Sequence, residues 1–208
     1  MNLLLVDDHP LVRGALRRLL AEHFEGATFG EASNAADGIR MASSGGWDLM
    51  LLDLSMPGRS GLEALTELRS SCPKLPVLIV TMHLDEQYAI RAFRSGAAGY
   101  VMKDCAQEEF CLAVEKALAG GKYITAQLAE ALAVTLASPA RSPHEELSDR
   151  ELQVLRMLGS GETVKTIGEE LSLSAKTVST YRTRILKKME MRTTAQLVRY
   201  ALASGLVE

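Results

Sequence analysis

Five short apolar runs punctuate the first part of the chain: Leu3-Leu4-Leu5-Val6, Ala27 to Ala32, Leu49-Met50-Leu51-Leu52, Val77-Leu78-Ile79-Val80 and Ala98 to Met102. Apart from Ala27 to Ala32, which Thr28, Gly30 and Glu31 interrupt, runs of this length suit strands buried on both faces. The second run is weaker and suits an edge. Between the runs the apolar period changes. Leu11, Ala15, Leu16, Leu19 and Leu20 recur at helical spacing up to about Phe24, and Leu62, Leu65 and Leu68 do so between Gly58 and Ser71, ahead of Pro73. Further helices are predicted over Asn34–Ser44, Asp85–Arg94 and Ala106–Ala119, closed by Gly45-Gly46, Gly96 and Gly120-Gly121. Strands alternating with helices imply an α/β fold with a parallel sheet covered on both faces.

After residue 120 the pattern changes again. Thr125 to Leu136 is alanine-rich and predicted helical, while Ala137 to Glu146 is Pro/Ser-rich with no apolar period. Residues 121–146 therefore read as a linker containing one helix. From Leu147 onward the pattern is helical only. Ser148 and Glu151 have capping-box spacing, Leu152, Leu155 and Leu158 follow, Thr163 to Leu171 is a second helix, and Ala175 to about Met189 a third. Helix, short turn, helix is the helix-turn-helix shape.

Where the strands end decides the chemistry. They end in Asp7-Asp8, Asp53, Thr81 and Lys103. Parallel strands bring these ends to one rim, where ligands of open α/β sheets bind. Crowded carboxylates repel one another, and a hard divalent cation, Mg²⁺ or Mn²⁺, relieves the repulsion. A carboxylate at such a rim can also act as a nucleophile and become an aspartyl phosphate, with Lys103 neutralising the phosphoryl group and the Thr81 hydroxyl bonding to it. No GxxxxGK[ST] stretch marks a nucleotide loop.

Asp7-Asp8, Asp53 with Met56-Pro57-Gly58, Thr81, Tyr100 and Lys103 resemble the receiver domain of bacterial two-component response regulators over residues 1–120. The resemblance implies a flavodoxin-like sheet of order 2-1-3-4-5. It makes Asp53 the acceptor of phosphate from a sensor histidine kinase. It makes Asp8, Asp53 and the Ser55 backbone carbonyl ligands of Mg²⁺, with Asp7 acting through a water. Thr81 and Tyr100 match the switch pair, in which the hydroxyl moves to the phosphoryl group and the ring turns inward.

In the third helix of the tail, Val178, Tyr181, Ile185 and Met189 form one stripe and are expected to face the core. Lys176, Thr180, Thr183 and Lys187 lie opposite, flanked by Ser179 and Arg184. A basic, hydroxyl-bearing helix face suits the major groove of double-stranded DNA. Leu147 to Leu155, Gly161, Ile167 to Leu171 and Ser174 to Val178 resemble the LuxR/NarL-type DNA-binding domain over about residues 145–206, which sets the expected domain at 147–208. That family reads bases from the positions of Ser179, Thr180 and Thr183, and Lys176, Thr177, Arg184 and Lys187 match phosphate contacts. Ser179 stands where the family often has Lys, Tyr181 where it often has His, and Thr163 to Thr166 replaces a commoner Ser-Asn-Lys-Glu. These departures bear on which operator is read. Thr194 to Ala203 matches the dimerising helix, with Leu197, Ala201 and Leu202 as its apolar face.

Composition adds location and sign. The three cysteines have no metal or disulfide spacing, no run reaches the ~18 apolar residues of a membrane span, and Met1-Asn2-Leu3 lacks a basic leader. These features predict a cytoplasmic protein with no membrane partner. Residues 1–146 carry 13 basic and 19 acidic side chains, and residues 147–208 carry 10 and 7. The basic tail fits a polyanion. The combined expectation is a phosphorelay transcription regulator of the NarL/FixJ type, homodimeric when phosphorylated, with RNA polymerase as a further partner. Two alternatives stay open. An aspartyl-phosphate hydrolase has the same nucleophile, but Asp53-Leu54-Ser55 lacks the second aspartate of DxDxT. A DNA binder that ignores phosphate leaves the rim residues without a purpose.

Overall fold

The computed structural model describes residues 1–56, 60–82, 86–137 and 142–207. The chain divides into two units, Met1–Ala137 and Ser138–Glu208. In the first, a five-stranded parallel sheet has the order β2-β1-β3-β4-β5. Its strands are β1 Asn2–Val6, β2 Thr28–Ala32, β3 Leu49–Asp53, β4 Val77–Thr81 and β5 Gly99–Met102. The helices between and after them are α1 Pro10–His23, α2 Ala35–Ser43, α3 Gly61–Ser71, α4 Glu86–Arg94 and α5 Gln107–Leu118. Register aligns the strand ends: Val6 pairs with Leu52, Asp53 with Val80, and Thr81 with Met102.

The two-residue period of a strand explains the two cores. Leu4, Val6, Met50, Leu52, Val77 and Ile79 pack on one face with Ile39, Leu62, Leu65 and Leu68. Leu3, Leu5, Leu49, Leu51, Leu78 and Val80 pack on the other with Leu16, Leu20, Phe110 and Val114. Every strand residue of β3 and β4 is buried, so the apolar runs are continuous rather than alternating. Where α3 begins, the chain passes against the end of β3. A Cβ on Gly61 would stand 2.3 Å from the Asp53 carbonyl oxygen and 2.7 Å from Leu54 Cα, so only glycine fits. Ser60 caps α3, its hydroxyl accepting from the Glu63 amide at 3.2 Å. The predicted helix start at Gly58 and, for α4, at Asp85 fall outside the described residues.

The linker is shorter than its composition suggests, at both ends. Its helix, α6 (Ala126–Ala137), packs against α4 in the first unit, with Leu128 fully buried. From this alanine-rich helix Leu128 enters the core cluster of the first unit. At the other end, Pro143–Glu146 forms a 3-10 turn. His144 is 6% exposed there, and its Nδ1 lies 2.7 Å from the Tyr200 hydroxyl. The Pro/Ser composition describes how the chain turns and does not reveal the buried ring.

The second unit contains α7 Asp149–Gly159, α8 Val164–Glu170, α9 Ala175–Lys188 and α10 Thr194–Ala203. Helix α7 packs against α9 and α10, and α8 packs against α9. Leu152, Leu155, Leu158, Ile167, Val178, Ile185, Leu197 and Ala201 are buried. Each helix start has a Ser or Thr cap: Ser148, Thr163, Ser174 and Thr193 accept from the amide three residues on. Two charged side chains are buried as well. Arg150 donates to the Leu171 carbonyl at 2.8 Å and to Gln153 at 2.7 Å, pinning the end of α8 to α7. Glu151 accepts from the Ser148 amide at 2.8 Å and from Lys188 Nζ at 2.6 Å.

Burial pulls the Glu151 carboxyl upward, but Lys188 and the Ser148 amide outweigh it and hold it below the ordinary range. A carboxyl depressed in the fold stabilises above its unfolded value, near pH 4.3, and loses that contribution as pH falls through the folded value. Glu151→Gln is expected to cost about 1–2 kcal/mol at pH 7, less than a fully buried pair because Lys188 is half-exposed. The loss should shrink toward pH 3. Thermal unfolding of both proteins across that range measures it.

Candidate functional site

The ends of β1, β3, β4 and β5 meet at one rim, and the side chains there are almost dry. Asp53 closes β3 and is 1% exposed. Its Oδ2 accepts from Lys103 Nζ at 2.9 Å, and its Oδ1 accepts from the Ser55 amide at 3.1 Å. Lys103 sits just past β5, where its own amide donates to the Thr81 carbonyl at 2.7 Å. That bond continues the β4–β5 ladder by one residue and aims the lysine across β4 toward β3. The Lys103 side chain is 4% exposed, and its Nζ also lies 2.6 Å from Asp7 Oδ2. Asp7 and Asp8 follow β1. Asp7 Oδ1 accepts from the His9 amide at 2.8 Å, and Asp8 Oδ1 lies 2.9 Å from His9 Nδ1.

Burial and charge act in opposite directions here. Burial raises the Asp53 carboxyl above its ordinary value, and the hydrogen bonds from Lys103 and Ser55 only partly oppose it. For Lys103, burial alone favours the neutral amine, but the hydrogen bonds and charges of Asp7 and Asp53 outweigh it and raise the ammonium. The cluster thus holds two buried carboxylates around one cation.

The acid groups suit a metal ion. One ligand atom from each of Asp7, Asp8, His9 and Asp53 lies within 4.8 Å of all the others. Asp7 Oδ2 and Asp8 Oδ1 are buried, and neither accepts a hydrogen bond of good geometry, although Lys103 Nζ lies 2.6 Å from the first and His9 Nδ1 2.9 Å from the second. Oxygens in that condition are the donors a hard divalent cation takes. The imidazole of His9 joins this group although it had read only as part of the turn at Pro10. Its signal was adjacency: the residue after an acid pair, at the N-cap of α1. Arg13 is a second addition. Its Nη1 donates to the Asp7 carbonyl at 2.7 Å, while its Nε bonds Glu31 at 3.0 Å, which fixes the backbone under the acid pair.

Thr81 ends β4 and is 4% exposed; Tyr100 in β5 is 1% exposed. Their side chains are hydrogen-bonded to each other, and burial pushes the Tyr100 phenol upward. The ring therefore lies inward in this structure. Ser55 contributes its amide to Asp53. The rim thus gathers Asp7, Asp8, Asp53, Ser55, Thr81 and Lys103, with Tyr100 bonded to Thr81; Pro57 and Gly58 lie outside the described residues.

The second group of candidate residues lies on α9. Lys176, Thr180, Thr183, Arg184 and Lys187 are exposed, and Thr177 and Ser179 are partly so. Val178, Ile185 and Met189 are buried as their spacing predicts, whereas Tyr181 is only half-buried. The hydroxyls of Thr180 and Thr183 donate to the Lys176 and Ser179 carbonyls, each at 3.0 Å. The Thr177 amide donates to Ser174 Oγ at 3.1 Å, and the two hydroxyls lie 2.8 Å apart. Thr177 therefore has a structural task at the helix start.

Comparison with known proteins places both units. The family described as response regulator receiver domain matches residues 3–115, and the family of bacterial regulatory proteins, luxR family, matches residues 145–201. The chain belongs to the two-component response regulators with a LuxR-type helix-turn-helix domain. It is 36% identical to response regulator UvrY of Escherichia coli K12 over 99% of this chain and 95% of that protein. It is 36% identical to response regulator GacA of Pseudomonas aeruginosa over 100% and 98%. A solved structure of RcsB from Salmonella enterica serovar Typhimurium, bound to a promoter in the presence of the phosphomimetic BeF₃⁻, is similar with TM-score 0.60 and 25% identity, covering 96% of this chain and 97% of that one. This regulator joins a receiver sheet with an acid cluster able to hold a divalent metal to a helical DNA-binding unit, the architecture of phosphorelay-controlled transcription. A kinase, DNA and a second copy are its partners by that architecture. Among the described residues no helix is long and apolar enough to cross a membrane.

The raised Asp53 carboxyl has a stability consequence. An acid whose folded value lies above its unfolded one contributes stability that is complete below the unfolded value, near pH 3.9, and is lost as pH rises through the folded value. At neutral pH the ionised Asp53 therefore weakens the regulator's first unit. With divalent ions chelated, Asp53→Asn is expected to stabilise that unit at pH 7 by about 1–2 kcal/mol, since Lys103 keeps Asp7 as its partner. The gain should vanish near pH 3.5. Thermal unfolding at both pH values tests the sign.

Proposed function

We propose that Asp53 is the phosphoacceptor of this regulator and that α9 is its DNA-reading helix. The observation that carries the first part is a nearly dry carboxylate held from both sides, by Lys103 on one oxygen and the Ser55 amide on the other. An Asp53 oxygen attacks the phosphorus of a phosphohistidine on the sensor kinase. A P–O bond to the carboxylate forms, the donor's P–N bond breaks, and the histidine leaves with the bonding pair. Lys103 is placed to follow the charge onto the phosphoryl oxygens, and Thr81 to donate to one of them. Tyr100 moves with Thr81 because their side chains are already bonded. Asp8, Asp53 and the Ser55 carbonyl would hold Mg²⁺ or Mn²⁺, with Asp7 acting through a water. When bound, the ion supplies a Lewis acid for the phosphoryl oxygens. The chain's chemistry ends at its own phosphorylation and hydrolysis, because Ser55 stands where DxDxT of a phosphate-releasing enzyme has its second aspartate.

Phosphorylation biases a two-state receiver toward pairing of two copies, the state in which DNA is bound. Of the apolar face expected for α10, Leu197 and Ala201 are buried in the unit's own core, which leaves half-exposed Leu202 to take part in that pairing. On DNA, Ser179, Thr180 and Thr183 face the bases, and Lys176, Thr177, Arg184 and Lys187 face phosphates. Two half-sites about one helical turn apart fit a symmetric dimer. RNA polymerase is the downstream partner at the promoter. RcsB, the related regulator solved on a promoter with BeF₃⁻, supports reading the two units as one device.

Incubation with acetyl phosphate and Mg²⁺ should give a retarded band on a phosphate-affinity gel that Asp53→Asn abolishes. A band that survives in the mutant removes Asp53 as the acceptor. For DNA, Lys176→Ala and Lys187→Ala should weaken binding evenly across duplex sequences and each lower the salt slope by about 1. Thr180→Ala should instead relax sequence preference. Electrophoretic mobility shifts from 50 to 200 mM salt separate the two outcomes, and a slope unchanged in both lysine variants removes α9 as the docking helix.

A further inference from the structure

The segment that leaves the first unit does not trail from it. Past α5, Tyr123 pairs with Gly99 in a single parallel bridge, its amide donating to the Ala98 carbonyl at 2.9 Å. β5 is an edge strand, and an uncovered edge is a template for unwanted pairing, so the chain covers it with its own continuation. Side chains hold the bridge. Lys122 Nζ donates to the Ala97 carbonyl, the Tyr123 hydroxyl donates to Glu109 at 2.8 Å, and Lys116 Nζ lies 5.6 Å from the Tyr123 ring centroid. Gly99 permits the approach. A Cβ there would stand 2.8 Å from Leu78 Cδ1 and 3.0 Å from the Tyr123 carbonyl oxygen.

Helix α6 then lies on α4, where Gln127 Nε2 donates to Glu86 at 3.3 Å. Leu128 and Ile124 enter the core cluster that also contains Ala89, Ala92, Phe93 and Tyr100. The ring bonded to Thr81 at the rim is therefore seated in a core that the linker helps to build. Tyr100 also follows Gly99, the residue the linker bridges.

We propose that residues 122–128 form a clamp whose docking on β5 and α4 is energetically coupled to occupancy of Asp53, with Tyr123 and Leu128 as positioning residues acting through Tyr100. The proposal rests on Asp53 as phosphoacceptor. A phosphoryl group that holds Thr81 fixes the hydroxyl that Tyr100 is bonded to, and so fixes the ring. A fixed inward ring orders the core cluster that Leu128 and Ile124 enter. Coupling of this kind is reciprocal: what the phosphoryl group gives the linker, the docked linker returns to the phosphoryl group. Because α6 is the last element before the second unit, the clamp is the covalent route out of the receiver.

The test uses the full chain with beryllofluoride and Mg²⁺ as the phosphoryl analogue. Hydrogen–deuterium exchange in peptides covering 122–133 should slow when the analogue is added to the wild type. By calorimetry, Leu128→Ala should weaken analogue binding by about fivefold, at the low end of typical couplings, and Leu128→Met should restore it. Slowed exchange at 49–56 and 99–103 with none at 122–133 overturns the clamp, as does equal analogue affinity for a folded Leu128→Ala. If that variant does not fold, exchange in the wild type decides alone. No response at either the rim or the linker shows instead that Asp53 does not take the analogue, and the phosphoacceptor reading fails first.

Discussion

Two carboxylates and one ammonium share a nearly waterless rim, and most of the first unit is arranged to hold them there. Asp7 and Asp53 both reach Lys103 Nζ, at 2.6 and 2.9 Å, with all three side chains at most 4% exposed. Taking charges out of water costs several kcal/mol each, and only close, well-oriented pairing returns it. The pairing needs three strand ends level with one another, which a parallel sheet in this register provides. It needs Arg13 under Asp7, the Lys103 amide on Thr81, and a glycine at position 61 so that α3 can start against the Asp53 carbonyl. One negative charge remains unmatched inside the trio, and Asp8 adds another at its border. A divalent cation is the ligand this imbalance favours. Were Asp53 to take a phosphoryl group, as proposed, the surplus would grow, and Lys103 and Thr81 would be the neighbours that answer it.

The rim was legible in the sequence because each of its members terminates an apolar run, and a run's end is visible without knowing the fold. Asp53 read alone is an ordinary turn aspartate; Asp7, Asp8, Thr81 and Lys103 at corresponding strand ends change that reading. The supports were not legible. Arg13 lies on a helix face where a charge normally meets solvent, and only the tertiary fold brings it under the Asp7 carbonyl. His9 looked like part of a turn because its partners are contributed by backbone direction rather than by spacing. The docking of α6 was hidden by composition: alanine and leucine report helix, but not which neighbour the helix covers. The same limit explains His144, whose burial depends on Tyr200, 56 residues later.

In the second unit the apolar stripe of α9 was legible from period alone, and the outer face followed from it by exclusion. What the period does not show is how that face is prepared. Thr180 and Thr183 spend their hydroxyl protons on the carbonyls four residues back. Each side chain then has lone pairs and a methyl group to offer a groove without giving up that bond, and must exchange it to act as a donor. An exchange of one neutral hydrogen bond costs little net, about 1 kcal/mol or less. Residues of this kind favour adaptable contact over rigid readout, whereas Lys176 and Lys187 act by charge and are indifferent to such detail.

The two units solve the same electrostatic problem in opposite ways. Glu151 is buried beside Lys188 and three residues from the start of its helix, so its charge is matched and its carboxyl is depressed. That arrangement stabilises the ionised form and has no reason to change. Asp53 is buried with a shared cation, so its charge is under-matched and its carboxyl is raised. An under-matched buried charge is a standing cost to the fold at neutral pH. It also gives any ligand that corrects the mismatch a large differential affinity for one arrangement of the neighbouring side chains, which is the condition for shifting a two-state equilibrium. An under-matched position of this kind is for that reason a responsive one. Tyr100 shares a core with Leu128, so under the proposed coupling a change of charge at Asp53 would become a change of packing at the chain's exit.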